Sequence, residues 1–309
     1  MQRLILADGI PDDFGGSIVA LGNFDGFHLG HQAVVNRAIQ RGFHERRRVI
    51  VATFDPHPVS YFKPDLPPFR LTTLDQRQEL FAHAGADAML VFEFNAALAS
   101  MDAKDFVAEV LAKQIGAAGV VTGDDFSFGK GRTGDVALLK TLGERHGVIA
   151  EAVPQVLLEG ERISSGRIRE ALVAGDIGTA THMLSRDYAI AGVVQRGDAR
   201  GRELGYPTAN LSLGDYQRPK YGIYAVRVAM DDGSERPGVA SLGVRPTFDP
   251  PAELLEAHLF DFDGDLYGRV IEVALHAYIR EEKKFGDVAD LVAHMREDEA
   301  AARRLLAID

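Results

Sequence analysis

The sequence predicts an α/β protein in which a Rossmann-like parallel sheet is followed by a small antiparallel β-barrel and a C-terminal helix. Three observations support this: strand-like and helix-like segments alternate in the first half, short β-rich runs fill the second half, and an amphipathic stretch comes last. Alternation is typical of parallel sheets with right-handed crossovers, whereas evenly spaced short strands favour a barrel. A chain of 309 residues can form two such domains, each with its own core.

In the first half, apolar runs predict buried strands and helical spacing predicts amphipathic helices. The predicted strands are residues 17–21, 49–54, 88–92, 119–122 and 148–153. The first predicted helix begins near Gly30, and three further helices are predicted over residues 75–84, 103–114 and 136–145. Ligands of parallel sheets lie beyond the carboxyl ends of the strands, so the polar segments that follow these strands are candidate sites.

In the second half, strands are predicted between turns that contain Gly, Pro or Asp. They are residues 189–195, 223–229, 238–244, 254–260 and 270–279. A final helix over residues 287–306 is expected to bury a stripe made of Val288, Leu291, Val292, Met295 and Leu305. The change of pattern near Arg186 predicts domains of residues 1–186 and 187–309.

Composition narrows the class of protein. The chain has no cysteine, which excludes disulfides and thiolate metal sites and is compatible with a reducing cytoplasm. A formal net charge of −11 disfavours binding to nucleic acid or to anionic membranes, and no apolar run is long enough to span a bilayer. We therefore expect a cytoplasmic protein with small-molecule partners, no nucleic acid and no membrane, and the sequence is compatible with a weak homo-oligomer.

The segment GNFDGFHLGH, residues 22–31, lies between a predicted strand and the helix that opens near Gly30. Its glycines allow a sharp turn and a close approach to a ligand. His28 and His31 are three residues apart, which places both imidazoles on one side of the helix mouth. Backbone N–H groups there favour an anion, so the segment suits a phosphate that gains charge in a transition state. A simple cap or surface histidines are the alternative, and a zinc site would lack a third ligand nearby.

This segment resembles the His-x-Gly-His signature of the nucleotidylyltransferases, and its opening Gly-Asn-Phe-Asp-Gly resembles the FAD synthetase branch. The resemblance implies that AMP is transferred from ATP to FMN, with release of pyrophosphate. It implies catalytic roles for His28 and His31. It also implies nucleotide contacts from Gly22, Asn23, Phe24, Asp25 and Gly30.

Two further segments at strand ends, TFDPHP at residues 53–58 and GDDFSFG at residues 123–129, match blocks of the same family. The resemblance implies flavin contacts from Asp55, His57, Gly123, Asp125, Phe126 and Phe128. By composition alone both segments are ordinary turns. The Gly-x-Gly-x-x-Gly string at residues 129–134 is not a dinucleotide fingerprint, because its glycines do not follow the strand directly.

Residues 162–169, RISSGRIR, lead into a helix that begins near Ser165. Hydroxyl groups at a helix start can cap it and bind phosphate, and guanidinium groups bind phosphate oxygens in pairs. The segment resembles the Ser-Ser-x-x-Ile-Arg block of the family, which implies a triphosphate site opposite the histidines. Its members would be Arg162, Ser164, Ser165, Arg167 and Arg169. Gly166 replaces the usual Ser or Thr, so one hydroxyl contact is absent.

Residues 197–210, GDARGRELGYPTAN, form a glycine-rich segment whose N–H groups can bind phosphates, followed by neutral oxygens on Thr208 and Asn210 that suit Mg²⁺. It resembles the riboflavin kinase signature, which implies phosphorylation of riboflavin by ATP. The implied phosphate contacts are Gly197, Arg200, Gly201 and Gly205. LEAHL, residues 255–259, resembles the segment whose glutamate is the general base, which implies that role for Glu256.

Asp261, Asp263, Asp265 and Glu272 have the spacing of EF-hand ligands. Leu266 occupies the position that requires glycine, and strand-like sequence flanks the segment. We therefore predict a hairpin turn at this place.

Taken together, the motifs resemble those of the prokaryotic bifunctional riboflavin kinase/FAD synthetase family. This implies an FMN adenylyltransferase domain at residues 1–186 and a riboflavin kinase domain at residues 187–309, with ATP, flavins and Mg²⁺ as ligands. A nucleotidylyltransferase for another phosphorylated substrate would leave the barrel unexplained. A class I aminoacyl-tRNA synthetase is disfavoured by the acidic charge. A non-catalytic flavin-binding protein would not need Thr208, Asn210 and Glu256.

Overall fold

The computed structural model describes residues 1–197, 204–245 and 252–308. Its contacts divide the chain into two compact units. The first comprises Met1–Pro67 and Leu74–Ser164, and the second Pro68–Thr73 and Ser165–Asp309. The division lies earlier in the chain than the boundary expected near Arg186, because helix α8, Ile177–Leu184, packs on strands of the second unit.

The first unit contains a six-stranded sheet, within the described residues, whose strands are all parallel. Its strands are β1 (Gln2–Ile5), β2 (Ile18–Leu21), β3 (Val49–Asp55), β4 (Ala88–Glu93), β5 (Gly119–Gly123) and β6 (Ile149–Val153). They lie in the order β1-β4-β3-β2-β5-β6. The predicted Rossmann-like sheet is confirmed, with β1 as an additional edge strand.

Helices connect these strands, and all but α2 and α4 lie at positions that the periodicity predicted. They are α1 (Leu29–Glu45), α2 (Pro58–Phe62), α3 (Leu74–Ala84), α4 (Ala96–Ser100), α5 (Ala103–Asp105) and α6 (Val136–Arg145). A π-helix, Phe106–Gln114, continues directly from α5. A short hairpin of β7 (Leu157–Leu158) and β8 (Glu161–Arg162) ends the unit.

The core of the first unit lies on both faces of the sheet, because side chains alternate along each buried strand. Val19 and Leu21 of β2 pack in the cluster that includes Phe106 of the π-helix. Ile18 and Ala20 pack in the cluster that includes Val35 of α1. All four residues of β2 are buried, so the strand is fixed between two layers of helices.

The second unit begins with α7 (Ser165–Ala174) and α8, followed by a six-stranded antiparallel sheet within the described residues. Its strands are β9 (Tyr188–Val193), β10 (Ala209–Ser212), β11 (Gly222–Met230), β12 (Glu235–Arg245), β13 (Ala252–Leu259) and β14 (Val270–Arg280). They lie in the order β10-β13-β12-β11-β14-β9, and a bridge between Gln195 and Asn210 joins the two edges. The barrel prediction is thereby confirmed.

The final helix, α9 (Val288–Leu305), forms as predicted, and Leu291, Val292 and Met295 of its expected stripe are half-buried, but the two ends of the stripe are not. Val288 is 60% exposed and Leu305 is 46% exposed, whereas Asp298 and Ala302 are buried. The helix face toward the barrel includes Asp298, which receives two hydrogen bonds from Arg280 at the end of β14. A charged pair therefore takes a position that hydrophobicity alone would give to an apolar residue.

The prediction of a hairpin turn near Asp261 is wrong. Strands β13 and β14 are not neighbours, because β12 and β11 lie between them in the sheet. Residues 260–269 therefore connect one side of the barrel to another.

Within the described residues, no group of three or more acidic or histidine side chains is arranged to hold a metal ion, either in residues 260–269 or elsewhere. None of the described helices has both the length and the apolar character needed to cross a membrane.

We predict that Asp298→Ala lowers the free energy of unfolding of the second unit by about 3 kcal/mol, because it leaves the Arg280 guanidinium without its bidentate partner in a largely buried place. Urea denaturation followed by circular dichroism measures this change. Glu235→Ala is the matched control, since its exposed ion pair with Arg227 contributes less than about 1 kcal/mol. Equal loss in the two variants would contradict the prediction.

Candidate active sites

The histidine segment follows β2, whose neighbours in the sheet are β3 and β5. The chain continues from β2 toward β3 on one side, and β5 lies on the other. This is the point where strand order reverses, and ligands of open parallel sheets bind outside the carboxyl ends of the strands at such a point. The fold therefore places residues 22–31 at the location where parallel sheets of this kind bind ligands.

The two predicted catalytic histidines lie together at the start of α1. Nδ1 of His28 accepts a hydrogen bond from the backbone N–H of His31 at 3.3 Å, so His28 is the N-cap. The two rings stack with their centroids 3.6 Å apart and their planes 17° apart. The expectation that both imidazoles share one side is confirmed. Because Nδ1 of His28 accepts a hydrogen bond, the proton of the neutral ring lies on Nε2.

The backbone between β2 and α1 has an unusual conformation. Phe24 and Phe27 have φ values of 51° and 42°, in the left-handed region that residues other than glycine rarely adopt. Such residues persist only where the surroundings hold them, at a cost of about 1–3 kcal/mol each. The Phe24 ring is held edge-on against His31, at 5.3 Å, and against Phe81 of α3, at 5.8 Å.

The predicted nucleotide contacts in this segment are tightly packed. A Cβ on Gly22 would lie 3.1 Å from the Phe24 ring, and one on Gly30 would lie 3.1 Å from the His28 ring. Asp25 is buried, with 3% of its surface exposed. Within the described residues, Oδ1 of Asn23 is buried and has no hydrogen-bond partner. Buried acceptors are normally satisfied, so a ligand that offers a donor is the expected partner of this oxygen.

The first predicted flavin block lies at the same edge of the sheet, because β3 pairs with β2. Asp55 ends β3, and His57 caps α2, where its Nδ1 accepts from the backbone N–H of Val59 at 3.1 Å. The sequence did not point to Arg77 of α3, which is buried and reaches Thr53 and Asp55. An arginine on the inward face of a predicted helix was the only signal that could have suggested it.

The second predicted flavin block follows β5, on the other side of β2. Phe126 and Phe128 stack with centroids 5.7 Å apart, and Phe128 is buried. Asp125 forms an ion pair with Arg162. The structure thus brings Asp125, a predicted flavin contact, together with Arg162, a predicted phosphate contact. Gly123, the remaining residue of this block, is the last residue of β5.

The predicted triphosphate block is divided between the two units. Ser164 is the last residue of this part of the first unit, whereas Ser165, Arg167 and Arg169 belong to the second. Arg169 lies within the second unit against Phe69, with its Nε donating to the Phe69 carbonyl at 2.7 Å and its guanidinium carbon 4.9 Å from the ring centre. The role of this block in a phosphate site stays a prediction.

The second unit contains a cavity of about 460 Å³ within the described residues. Thr208, Asn210 and Glu256 all line it. Asn210 of β10 lies directly opposite Glu256 of β13 in the antiparallel register, so the two side chains project from the same face of the sheet. Asn210 is 6% exposed, and a Cβ on Gly197 would lie 2.5 Å from its Nδ2.

The remaining residues of the glycine-rich segment are less informative. Gly205 has a φ of 83°, which a residue with a side chain rarely adopts, and nothing lies within 4 Å of its Cβ position. Arg200 and Gly201 lie outside the described residues. The prediction of phosphate contacts from these three residues is therefore not tested.

Several cavity residues were missed by the sequence analysis. His258 is two residues after Glu256 on β13, and its Nδ1 lies 2.9 Å from the carbonyl oxygen of Pro207. Tyr206 packs edge-on against His258 at 5.0 Å, and burial is the main cause that raises the pKa of its phenol. Its hydroxyl therefore stays protonated at neutral pH. The period-two spacing of Glu256 and His258 was a usable signal for the histidine.

Two separate places suited to phosphate chemistry on one chain are typical of a bifunctional transferase that uses nucleotides. The FAD synthetase family matches residues 10–167, and the riboflavin kinase family matches residues 184–306. A bifunctional riboflavin kinase/FMN adenylyltransferase of Pseudomonas fluorescens is 40% identical over 94% of this chain and 94% of its own length. One of Escherichia coli K12 is 37% identical over 95% and 94%, respectively.

A solved structure from Streptococcus pneumoniae, described as a macrolide-efflux protein, has a TM-score of 0.87 and 31% identity over 98% of this chain and 99% of its own. The chain belongs to the family of bifunctional riboflavin kinase/FMN adenylyltransferases. It is thus an enzyme of the kinase and nucleotidyltransferase classes.

We predict that Gly197→Ala lowers the rate of riboflavin phosphorylation at least about tenfold, because the new methyl group must displace the Asn210 side chain. The rate of FMN formation from riboflavin and ATP measures this, and the melting temperature is expected to change little. Gly178→Ala is the control, since this glycine lies within α8 and has space for a methyl group. A normal rate in Gly197→Ala would contradict a role for Asn210 at its present position.

Proposed function

We propose that the first unit transfers AMP from ATP to FMN and that the second unit phosphorylates riboflavin. For the first unit, the supporting observation is the stacked pair of His28 and His31 at a helix N-terminus on the ligand-binding edge of the sheet. For the second unit, it is the placement of Asn210 directly opposite Glu256 in the barrel cavity.

In the proposed adenylylation, a phosphate oxygen of FMN attacks the α-phosphorus of ATP, and the bond to the pyrophosphate oxygen breaks. Negative charge then builds on the oxygens around the α-phosphorus. His28 is suited to stabilise this charge because its cap hydrogen bond leaves the N–H on Nε2 as a donor. His31 contributes from the adjacent stacked ring, and no covalent intermediate with the enzyme is needed.

In the proposed kinase reaction, the terminal ribityl oxygen of riboflavin attacks the γ-phosphorus of ATP, and ADP leaves. Glu256 accepts the proton of that hydroxyl as general base. Its carboxylate lines the cavity beside Ser241, its direct neighbour on β12. Phosphoryl transfer needs mainly alignment and charge neutralisation, which the cavity wall can supply.

Magnesium fits the residues of the second site. The Thr208 hydroxyl and the Asn210 amide oxygen are two hard, neutral ligands at the cavity wall, and Mg²⁺ in kinases takes few protein ligands beside phosphate oxygens. When bound there, the ion would neutralise charge on the ATP phosphates. Gly197 packs against Asn210 and limits the positions that its side chain can adopt.

The motifs and the composition also support proposals on the domains, the partners and the location of the protein. As expected from the motifs, we assign FMN adenylylation to residues 1–186, although residues 165–186 pack within the second unit, and riboflavin phosphorylation to residues 187–309. The net charge of −11 supports small-molecule partners rather than nucleic acid. A chain without cysteine is compatible with the cytoplasmic location that we propose, and a weak homo-oligomer is compatible with the sequence.

We predict that the double variant His28→Ala/His31→Ala loses FMN adenylylation by at least about a hundredfold but keeps riboflavin phosphorylation. Loss of charge-stabilising donors in an acyl- or phosphate-transfer site typically has an effect of this size for each donor. The protein is incubated with riboflavin, ATP and Mg²⁺, and FMN and FAD are followed by chromatography. Unchanged FAD formation in the variant would refute the first assignment.

We predict that Glu256→Gln lowers FMN formation from riboflavin by about a hundredfold to ten-thousandfold, the range expected on loss of a general base. FAD formation from supplied FMN should stay unchanged. Glu235→Gln on the neighbouring strand is the control, because it removes an exposed carboxylate of the same unit. Loss of both activities in Glu256→Gln would indicate misfolding, and loss of neither would refute its role as base.

A further inference from the structure

Arg77 is a buried cation in the first unit, with 3% of its surface exposed. It projects from α3 toward the carboxyl ends of β2 and β3. One guanidinium nitrogen donates to the Thr53 hydroxyl at 2.8 Å and to the carbonyl of Asn23 at 3.2 Å. The other lies 3.8 Å from the Asp55 carboxylate. One side chain therefore contacts both the histidine segment and the first flavin block.

Thr53 completes this link from the strand side. It is fully buried, and its hydroxyl donates to the Asn23 carbonyl at 2.7 Å while it accepts from Arg77. The Asn23 carbonyl thus receives hydrogen bonds from two side chains. Both belong to other elements, α3 and β3, so the position of this carbonyl depends on tertiary contacts.

The carbonyl that they hold comes directly before the strained part of the loop. Phe24 and Phe27 both have left-handed backbones. Phe81, one helical turn after Arg77 on α3, packs edge-on against both rings, at 5.8 Å and 5.1 Å. The Phe24 ring in turn contacts His31. Helix α3 therefore supports the loop twice, by hydrogen bonds to its backbone and by ring contacts to its side chains.

Stability alone gives little reason for an arginine at this position. A buried guanidinium loses its hydration, and apolar side chains of similar volume are often equally or more stabilising. What the arginine adds is direction, because its planar fork fixes several acceptors at once. The acceptors here lie on the two segments that must present ATP and FMN to each other.

We propose that Arg77, acting with Thr53, is a positioning residue for FMN adenylylation: it holds the loop of His28 and His31 at a fixed distance from the segment that begins at Asp55. The inference rests on the proposed adenylylation in the first unit. Arg77 does not contact the reacting atoms in this role. It acts through the backbone of Asn23, which leads into the histidine segment.

The test uses the full-length protein and two matched pairs of variants. Thr53→Val removes the hydroxyl but keeps the shape of the side chain, and Thr53→Ser keeps the hydroxyl. Arg77→Lys keeps the charge but cannot reach the acceptors with a planar fork, and Arg37→Met is its control, because Arg37 forms an exposed pair with Glu151. For each variant, kcat and both KM values of FMN adenylylation are measured, with riboflavin phosphorylation by the same sample as an internal standard.

We expect Thr53→Val and Arg77→Lys to lower kcat/KM of adenylylation about tenfold to a hundredfold, with KM raised for both ATP and FMN, since small displacements of reacting groups have effects of this size. Thr53→Ser and Arg37→Met should stay within about twofold of the parent. The double variant Thr53→Val/Arg77→Lys should be no worse than the poorer single variant, because both changes break one link. Riboflavin phosphorylation should change little throughout.

A loss confined to kcat with unchanged KM values, matched by a smaller folded fraction, would overturn the proposal in favour of a purely structural role. Equal kinetics for Thr53→Val and Thr53→Ser would also overturn it, and this pair decides the matter even if Arg77→Lys destabilises the unit. Absence of adenylylation in the parent protein would instead refute the proposed function, and the positioning role with it.

Discussion

The complete burial of β2 is the constraint on which the first site depends. Its four residues, Ile18–Leu21, pair with β3 and β5 and pack into cores on both faces of the sheet. A shift of one residue along the strand would exchange the two faces, so the register is fixed. The point where the chain leaves the sheet is then fixed as well. His28 and His31 inherit their position from this point, although neither contributes to the ladder.

Contacts from other elements then hold the loop that follows β2. The left-handed residues Phe24 and Phe27 could not persist in an isolated segment without support. Arg77, Thr53 and Phe81 supply that support from α3 and β3. The His28 cap at the start of α1 completes it. His28 can therefore cap the helix and also bind a phosphate. Its Nδ1 accepts the cap hydrogen bond, and its Nε2 carries the N–H that donates.

In the second unit, closure of the barrel fixes the position of the site, as the burial of β2 does in the first unit. Asn210 pairs with Glu256 on one side and is bridged to Gln195 on the other. Its backbone thus joins the two edges of the sheet while its side chain lines the cavity. A short strand such as β10, Ala209–Ser212, has few ladder bonds of its own, so the closure is what keeps Asn210 in place. Arg280 and Asp298 fix α9 at the same cavity.

The sequence by itself determined the class of each unit, the position of most strands along the chain and the motif residues, because these follow from local periodicity and from short strings such as GNFDGFHLGH and PTAN. It could not give the edge strand β1 or the short β10, whose few residues carry no clear period. It misplaced the two ends of the stripe of α9, Val288 and Leu305, and did not foresee that Asp298 is buried in an ion pair with Arg280. Only the tertiary structure decided that β13 and β14 are separated, that Asn210 faces Glu256, and that Arg77 reaches Asn23. Each of these features depends on which residues far apart in the chain come into contact. Packing and strand register set such contacts, and no local pattern encodes them.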